Sequence, residues 1–251
     1  MSAPLATFST EVRDRLDALD QEVHDGGLDG AIELMASSLQ RGGVIQVFGT
    51  GHSQAFAMEV AGRAGGLIPT HAIVLRDVVL RGNRDVSVLQ GGTLERDESV
   101  ADELYGLYSF DPADVFLIAS NSGVNGSIVG LALRAKADGH PVIAVTSLEH
   151  TNAVTPKHSS GKRLSEIADI VIDNRAPYGD TTVDLGDGLS AGAVSSITAA
   201  YIAQLLTLGA AQRLRDAGEV PPLYISANIP GGDSHNDALK ARYGERIAGH
   251  A

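Results

Sequence analysis

Residues 44–53 read VIQVFGTGHS, and residues 115–127 read VFLIASNSGVNGS. Each stretch begins with five strand-forming residues and continues into a turn of glycine and small polar residues. A helical pattern follows each turn and ends near Ala64 and Ala137, respectively. A strand that leads through such a turn into a helix is the repeating unit of parallel α/β sheets, so these two stretches predict the fold class.

Strands and helices also alternate in the rest of the chain. Further strands are predicted at 72–75, 141–145 and 170–172, and further helices at 97–110 and 190–217. Crossover connections make such strands parallel, and nearly continuous apolar strands indicate a sheet that is covered on both faces. We therefore expect an α/β protein, a three-layer αβα sandwich with about five parallel strands.

The two ends of the chain differ from this alternating part. Residues 1–43 contain two helical patterns separated by a pair of glycines, which predicts an N-terminal helical arm. Residues 44–218 form the expected ligand-binding domain, in which the Gly- and Asp-rich segment 178–192 is predicted to be a surface or active-site loop. Residues 219–251 form a Pro- and Gly-rich tail that is expected to complete the site, with one short helix over 237–247.

The composition excludes several classes of function. The chain has 251 residues, a formal charge of −12 and no cysteine. The missing cysteines exclude a thiolate nucleophile and a Cys-ligated zinc site, and the acidity disfavours binding to nucleic acid. The apolar runs are only strand-sized and residues 1–11 show no signal sequence, so we expect a soluble cytoplasmic protein without a membrane span. No histidine pattern typical of a metal site is present, and no metal or other cofactor is expected.

The two glycine- and serine-rich turns form the candidate ligand site. Each lies at the start of a helix, where unpaired backbone N–H groups and the helix dipole attract an anion. Neither turn contains Lys or Arg, so neutral donors would hold the ligand. In the alternative, Ser and Asn only cap helices and the glycines only make turns. The candidate binding residues are Gly51, Ser53, Ser120, Asn121, Ser122, Asn125 and Ser127.

The common nucleotide-binding motifs do not fit these turns. Gln54 stands where the dinucleotide fingerprint requires its third glycine, and the chain has no Gly-Lys-Ser or Gly-Lys-Thr of a P-loop. A nucleotide-binding protein of another type stays open as an alternative, which thermal shifts with NAD, ATP and sugar phosphates would separate.

The two turns resemble those of the SIS (sugar isomerase) domain family. Residues 120–123 resemble the phosphate loop of that family, residues 49–53 its sugar-contacting loop, and residues 56–63 the helix that carries the catalytic glutamate of phosphoheptose isomerases. Residues 226–236 resemble a bacterial group of stand-alone SIS proteins. The resemblance implies a flavodoxin-like SIS fold with 44–218 as the phosphosugar-binding domain, a small phosphosugar as ligand, and a homodimer.

Three residues are candidates for catalysis. The resemblance implies that Glu59 removes the C2 proton of a sugar 6-phosphate, although Glu59 and Arg63 also have the i, i+4 spacing of a surface ion pair. His52, in the first turn, is a candidate for polarising a sugar oxygen. His235 lies in a polar segment that we expect to be flexible and able to reach the pocket of its own chain or of a partner.

Removal of the C2 proton leads to two reactions. Loss of the C3 substituent gives a lyase or dehydratase, and reprotonation at C1 gives an aldose–ketose isomerase. Helix 190–217 lacks the histidine that phosphoheptose isomerases carry on their last long helix, and the first turn looks like that of muramic acid phosphate etherases. We therefore favour elimination on an N-acetylamino sugar 6-phosphate, with the isomerase and a non-catalytic phosphosugar sensor as alternatives.

Overall fold

A parallel sheet forms the centre of the molecule. The structure is a computed structural model that describes residues 2–247. Its strands are β1 (Ile45–Gly49), β2 (Thr70–Ile73), β3 (Val115–Ala119), β4 (Val142–Thr146) and β5 (Ile170–Asp173). All neighbouring strands pair in parallel, in the order β2-β1-β3-β4-β5. The predicted α/β class and the five parallel strands are thereby confirmed.

Helices cover both faces of this sheet. They are α1 (Ala3–His24), α2 (Asp29–Gln40), α3 (Gln54–Val60), α4 (Asp77–Leu80), α5 (Ser99–Gly106), α6 (Gly126–Ala137), α7 (Leu148–Ala153), α8 (Ser195–Asp216) and α9 (Gly232–Lys240). One apolar core joins α1, α2, α3 and α8 to one face of the sheet, and a second joins α4, α5 and α6 to the other. Every residue of β1, β3 and β4 is buried, which explains why these strands are nearly continuously apolar in sequence. None of the helices described here has both the length and the apolar character that a membrane span requires.

Several predicted helices have different bounds in the structure, among them the helix predicted at 97–110, which spans only Ser99–Gly106. The helix after the first turn ends at Val60 rather than near Ala64, because Gly62 adopts a left-handed φ of 80°. The long helix begins at Ser195, because residues before it form an antiparallel hairpin of β6 (Thr181–Gly186) and β7 (Leu189–Ala193). Most of the hairpin is exposed and lacks an apolar alternation, so the sequence predicted a loop there.

The C-terminal tail packs at the amino ends of the strands. Leu223 forms an antiparallel bridge with Leu67, just before β2, and Ile247 packs with Val44 and Ile68. Helix α9 begins at Gly232, five residues earlier than predicted, after Gly231 in the left-handed conformation. The expectation of a flexible segment at His235 is therefore wrong, because this residue lies within a helix.

Candidate functional site

The register of the sheet brings the two predicted turns side by side. Strands β1 and β3 are neighbours, and Gly49 at the end of β1 pairs with Ala119 at the end of β3. Both turns therefore leave the same edge of the sheet, where α/β proteins bind their ligands. The first turn is tight, because a methyl group added at Gly49 would lie only 2.3 Å from the carbonyl oxygen of Ser53. Glycine is required there for the chain to fold back over its own strand.

A narrow cleft lies between these turns and the start of α8. Its volume is about 10 Å³, which is room for about one water molecule, and it is open to solvent. Its walls come from the carboxyl ends of β3, β4 and β5 and from the first residues of α3 and α8. The lining residues are His52, Ser53, Phe56, Ala119, Ser120, Asn121, Val145, Asn174, Ser195, Ser196 and Ala199.

Four of the sequence-predicted residues lie along this cleft, namely His52, Ser53, Ser120 and Asn121. The Ser120 hydroxyl accepts a hydrogen bond from the backbone N–H of Gly123 at 3.1 Å, which leaves its proton available to a ligand. This bond closes a turn in which Gly123 has a φ of 64°, a value that favours glycine. The start of the second turn is thus held in a fixed shape beside the first.

The other predicted binding residues lie outside the cleft lining. Ser127 is fully buried, and its hydroxyl donates to the carbonyl oxygen of Glu95 at 2.7 Å. Asn125 has a buried Oδ1 that finds no hydrogen-bond partner within the part of the chain that the structure describes. Gly51 is exposed and Ser122 is half-buried. Roles in ligand binding for these four residues stay predictions.

Glu59 lies near the end of α3, beyond the cleft-lining Phe56. Its Oε1 accepts hydrogen bonds from Arg63, three residues after the end of α3, and, at 2.6 Å, from Gln204 Nε2 on α8. The i, i+4 ion pair considered from the sequence is therefore formed. Glu59 does not line the cleft, and its catalytic role stays a prediction.

His235 lies at the other end of the sheet within the same chain. Its Nε2 is 3.0 Å from the carbonyl oxygen of Leu223, in the segment that pairs beside Leu67. His235 can therefore act in the cleft only if it comes from a second copy of the chain.

Sequence reasoning missed four residues at or beside the site. Asn174, Ser195 and Ser196 line the cleft, and Glu95 approaches the first turn, since a methyl group added at Gly51 would lie 3.3 Å from Glu95 Oε2. Asn174 directly follows β5, as Ser120 and Asn121 directly follow β3, so its place after an apolar strand was a usable signal. Glu95 approaches the first turn through the fold of a long connection, and no pattern in the sequence predicts this approach.

The cleft is lined by hydrogen-bonding groups rather than by lysine or arginine side chains. Its lining contains hydroxyls, carboxamides and the His52 imidazole, and it contains no Lys or Arg. The 22-residue helix α8 also begins here, although the Asp180 carboxylate already accepts from the Ser195 backbone N–H and hydroxyl at 2.8 and 2.7 Å. An anion would therefore be held by directed hydrogen bonds rather than by ion pairs. Within residues 2–247, no three acidic or histidine side chains lie together as a metal site would require.

A larger cavity of about 580 Å³ lies at the amino ends of the strands, beside His71, Tyr108 and Arg246. Its two arginines contact carboxylates of the chain itself, Arg81 with Asp77 at 3.5 Å and Arg246 with the buried Asp114. The size of this cavity does not make it the better candidate, since its cations are already engaged.

Comparison with known proteins identifies the family. The model of the SIS domain matches residues 7–147, which is more than half of the chain. This chain belongs to the SIS domain family. It is also 36% identical to a UPF0309 protein of Listeria monocytogenes over 243 residues, covering 96% of this chain and 97% of the relative. A UPF0309 protein of Halalkalibacterium halodurans is 35% identical over 224 residues, covering 89% of this chain and 91% of the relative.

The fold of the SIS protein also matches solved structures. A phosphoheptose isomerase from Francisella tularensis superposes with a TM-score of 0.54 at 18% identity, covering 84% of this chain and all of that one. This likeness confirms the flavodoxin-like architecture.

Proposed function

We propose that this SIS protein is an enzyme that removes the C2 proton of an N-acetylamino sugar 6-phosphate and eliminates the C3 substituent. The observation that carries the proposal is the cleft in which Ser53 and Ser120, from two different turns, line one space with Asn121. Hydroxyl and carboxamide donors at that edge suit the oxygens of a phosphate. Because the cleft has room for only about one water molecule, the phosphosugar would lie over its open mouth, with the phosphate directed toward the two turns.

The chemistry needs a base and an acid near the sugar. A carboxylate takes the C2 proton, the electron pair forms an enolate, and the C3–oxygen bond then breaks as the departing oxygen accepts a proton. General acid–base help of this kind is worth roughly 10²–10⁴-fold. We assign the base to Glu59, with Glu95 as the other carboxylate near the turns, and the acid to His52 in the cleft lining.

A second candidate is isomerisation, in which the same intermediate is reprotonated at C1. His52 lines the cleft and could carry that proton. Elimination is preferred because Gln204 of α8 faces Glu59, and α8 contains no histidine from Ser195 to Asp216.

We also propose a homodimer. Met58 on α3 and Leu208 on α8 are 68% and 65% exposed, and these two helices pack against each other. Exposed apolar side chains on neighbouring helices favour contact with another copy. Light scattering at micromolar concentration tests this proposal, and a monomer would contradict it.

Incubation in D₂O with hexose 6-phosphates and with 3-O-substituted N-acetylhexosamine 6-phosphates tests the reaction. Elimination predicts an unsaturated product with release of the C3 group, whereas isomerisation predicts a ketose that carries deuterium. If no substrate in the panel exchanges its C2 proton, the enzyme proposal is wrong and a phosphosugar sensor becomes the better hypothesis.

The assignment of the base is tested by Glu59→Gln, with Glu95→Gln beside it. We expect Glu59→Gln to lower turnover by roughly 10²–10⁴-fold while phosphosugar binding persists. Asp138→Asn is the matched control, because Asp138 also has an i, i+4 pairing with an arginine, Arg134, between the end of α6 and the start of β4, at the end of the sheet opposite the cleft. If only Glu95→Gln loses turnover, the base is Glu95 rather than Glu59.

A further inference from the structure

Asn174 is almost fully buried at the base of the cleft, with 3% of its surface exposed. It directly follows β5, and its backbone N–H donates to the carbonyl oxygen of Thr146 at 2.9 Å, at the end of β4. Its side chain reaches the end of β3, where its Nδ2 donates to Asn121 Oδ1 at 3.1 Å. One residue thus ties together three strand ends that border the cleft.

The hydrogen bonds around Asn174 determine the orientation of its carboxamide. The backbone N–H of Ala176 donates to Asn174 Oδ1 at 3.0 Å, so the side-chain oxygen of Asn174 points to Ala176. Its nitrogen must then face Asn121, and because a nitrogen can only donate, the atom of Asn121 that it meets must be the oxygen. The Asn121 carboxamide thus uses its oxygen on Asn174, and its nitrogen keeps two N–H groups in a residue that lines the cleft.

We propose that Asn174 is a positioning residue that presents Asn121 to the cleft as a pure hydrogen-bond donor. Asn121 would then select ligand groups that only accept hydrogen bonds, such as phosphate oxygens, and reject ammonium groups. This inference rests on the proposed function of the cleft and deepens it, since it names the residue that sets the polarity of the phosphate subsite.

The turn after Asn174 is held by the N-terminal helix. Arg175 has a φ of 60°, a left-handed conformation that is unfavourable for a residue other than glycine. Its guanidinium binds Glu22 of α1 at 2.7 Å, and its carbonyl oxygen accepts from Arg15 of α1 at 3.0 Å. Helix α1 therefore braces the strained turn, and the Asn174 side chain is kept in place from outside the cleft.

A double-mutant cycle tests whether Asn174 acts through Asn121. Asn121→Ala, Asn174→Ala and the double variant are titrated with inorganic phosphate and with N-acetylglucosamine 6-phosphate. We expect each single variant to bind roughly 10-fold more weakly, as for one lost hydrogen bond to a charged group, and the double variant to bind no more weakly than Asn121→Ala. Asn152→Ala, an exposed asparagine on α7, is the control and should bind like the wild type.

A second variant keeps the proposal testable if Asn174→Ala does not fold. Asn174→Asp keeps an oxygen for the Ala176 N–H but cannot donate, so Asn121 must turn its nitrogen toward residue 174 and its oxygen toward the cleft. Because the new carboxylate also repels phosphate by itself, Asn174→Asp is measured in the wild type and in the Asn121→Ala background, and its loss of phosphate affinity should be larger in the wild type. Additive losses in the cycle, or Asn174 variants with unchanged affinity, would overturn the positioning role. If the wild type binds neither probe, the proposed function itself fails, and this inference fails with it.

Discussion

The polar groups at the amino and carboxyl ends of the sheet differ in whether the protein itself satisfies their hydrogen bonds. At the amino end, Asp114 is fully buried and accepts hydrogen bonds from the backbone N–H of Val44 at 2.8 Å, from Gln46 Nε2 at 2.9 Å and from Arg246. At the carboxyl end, the polar lining of the cleft consists of hydroxyls, carboxamides and the His52 imidazole, with no Lys or Arg. The hydrogen-bonding groups at the amino end are paired with other groups of the protein, whereas the carboxyl end keeps donors available for a ligand.

This contrast distinguishes residues that stabilise the fold from residues that are available to bind a ligand. A charge that is satisfied internally holds the fold but has little left for a ligand, which is why the larger cavity beside Arg81 and Arg246 is the weaker candidate site. Small neutral donors on a rigid strand edge contribute little to folding and are well placed to orient an anion. Substitutions at the two ends should therefore have different consequences.

The largest expected effect comes from Asp114→Ala at the amino end. This change leaves Arg246, Gln46 and the Val44 N–H without their shared acceptor, and we expect it to lower the free energy of unfolding by about 3–5 kcal/mol. Urea denaturation measures the loss. Asp138→Ala removes an exposed i, i+4 partner of Arg134 and should cost less than ~0.5 kcal/mol. Equal effects of the two changes would contradict the contrast.

A matched pair of serines gives a smaller and more selective effect. Ser53→Ala, in the cleft, should weaken phosphate binding roughly 10-fold with little change in stability, because one donor to a charged ligand is lost while the Ser53 side chain caps no helix. Ser38→Ala, at the amino end, should lower the free energy of unfolding by about 1 kcal/mol and leave binding intact, because its hydroxyl donates to the Ala113 carbonyl oxygen at 2.6 Å. Calorimetric titration and urea denaturation of both variants test the pair, and exchanged phenotypes would refute it.

The smallest effect concerns alkaline pH. Burial, together with a 2.7 Å hydrogen bond to Asp77, raises the pKa of Tyr108 at the amino end well above its usual value. The unfolded chain ionises this tyrosine near pH 10 while the folded chain does not, so the stability it contributes is complete below about pH 10 and falls above it. Tyr108→Phe should reduce the slope of unfolding free energy against pH between about 9.5 and 11. An unchanged slope in that variant would show that Tyr108 does not contribute.

The sequence was informative where burial leaves a periodic or continuous apolar signal. Strand β3 was predicted with its observed bounds, because five consecutive buried residues must all be apolar. The hairpin of β6 and β7 was missed because nearly all its residues are exposed or half-buried, so no alternation is imposed on them. The start of α9 was missed because its first residues are mostly polar and it begins at Gly232.

In the candidate site, the residues at strand ends were predictable from the sequence, whereas the residues positioned by loops were not. His52, Ser53, Ser120 and Asn121 lie at strand ends, and the parallel register alone brings them together. Ser195 and Ser196 come to the cleft because the hairpin sets where α8 begins, and Glu95 comes to the first turn through a connection without periodicity. Such contacts depend on loop geometry, which short sequence patterns do not encode.

The bond between Arg246 and Asp114 has a consequence for how the chain folds. The two residues lie 132 positions apart, so the buried carboxylate obtains its cation only when the C-terminal segment docks on the strand ends. Without that docking, the sheet holds a buried carboxylate that no cation compensates, which is energetically costly. The sheet and the docked tail should therefore become stable together rather than one after the other.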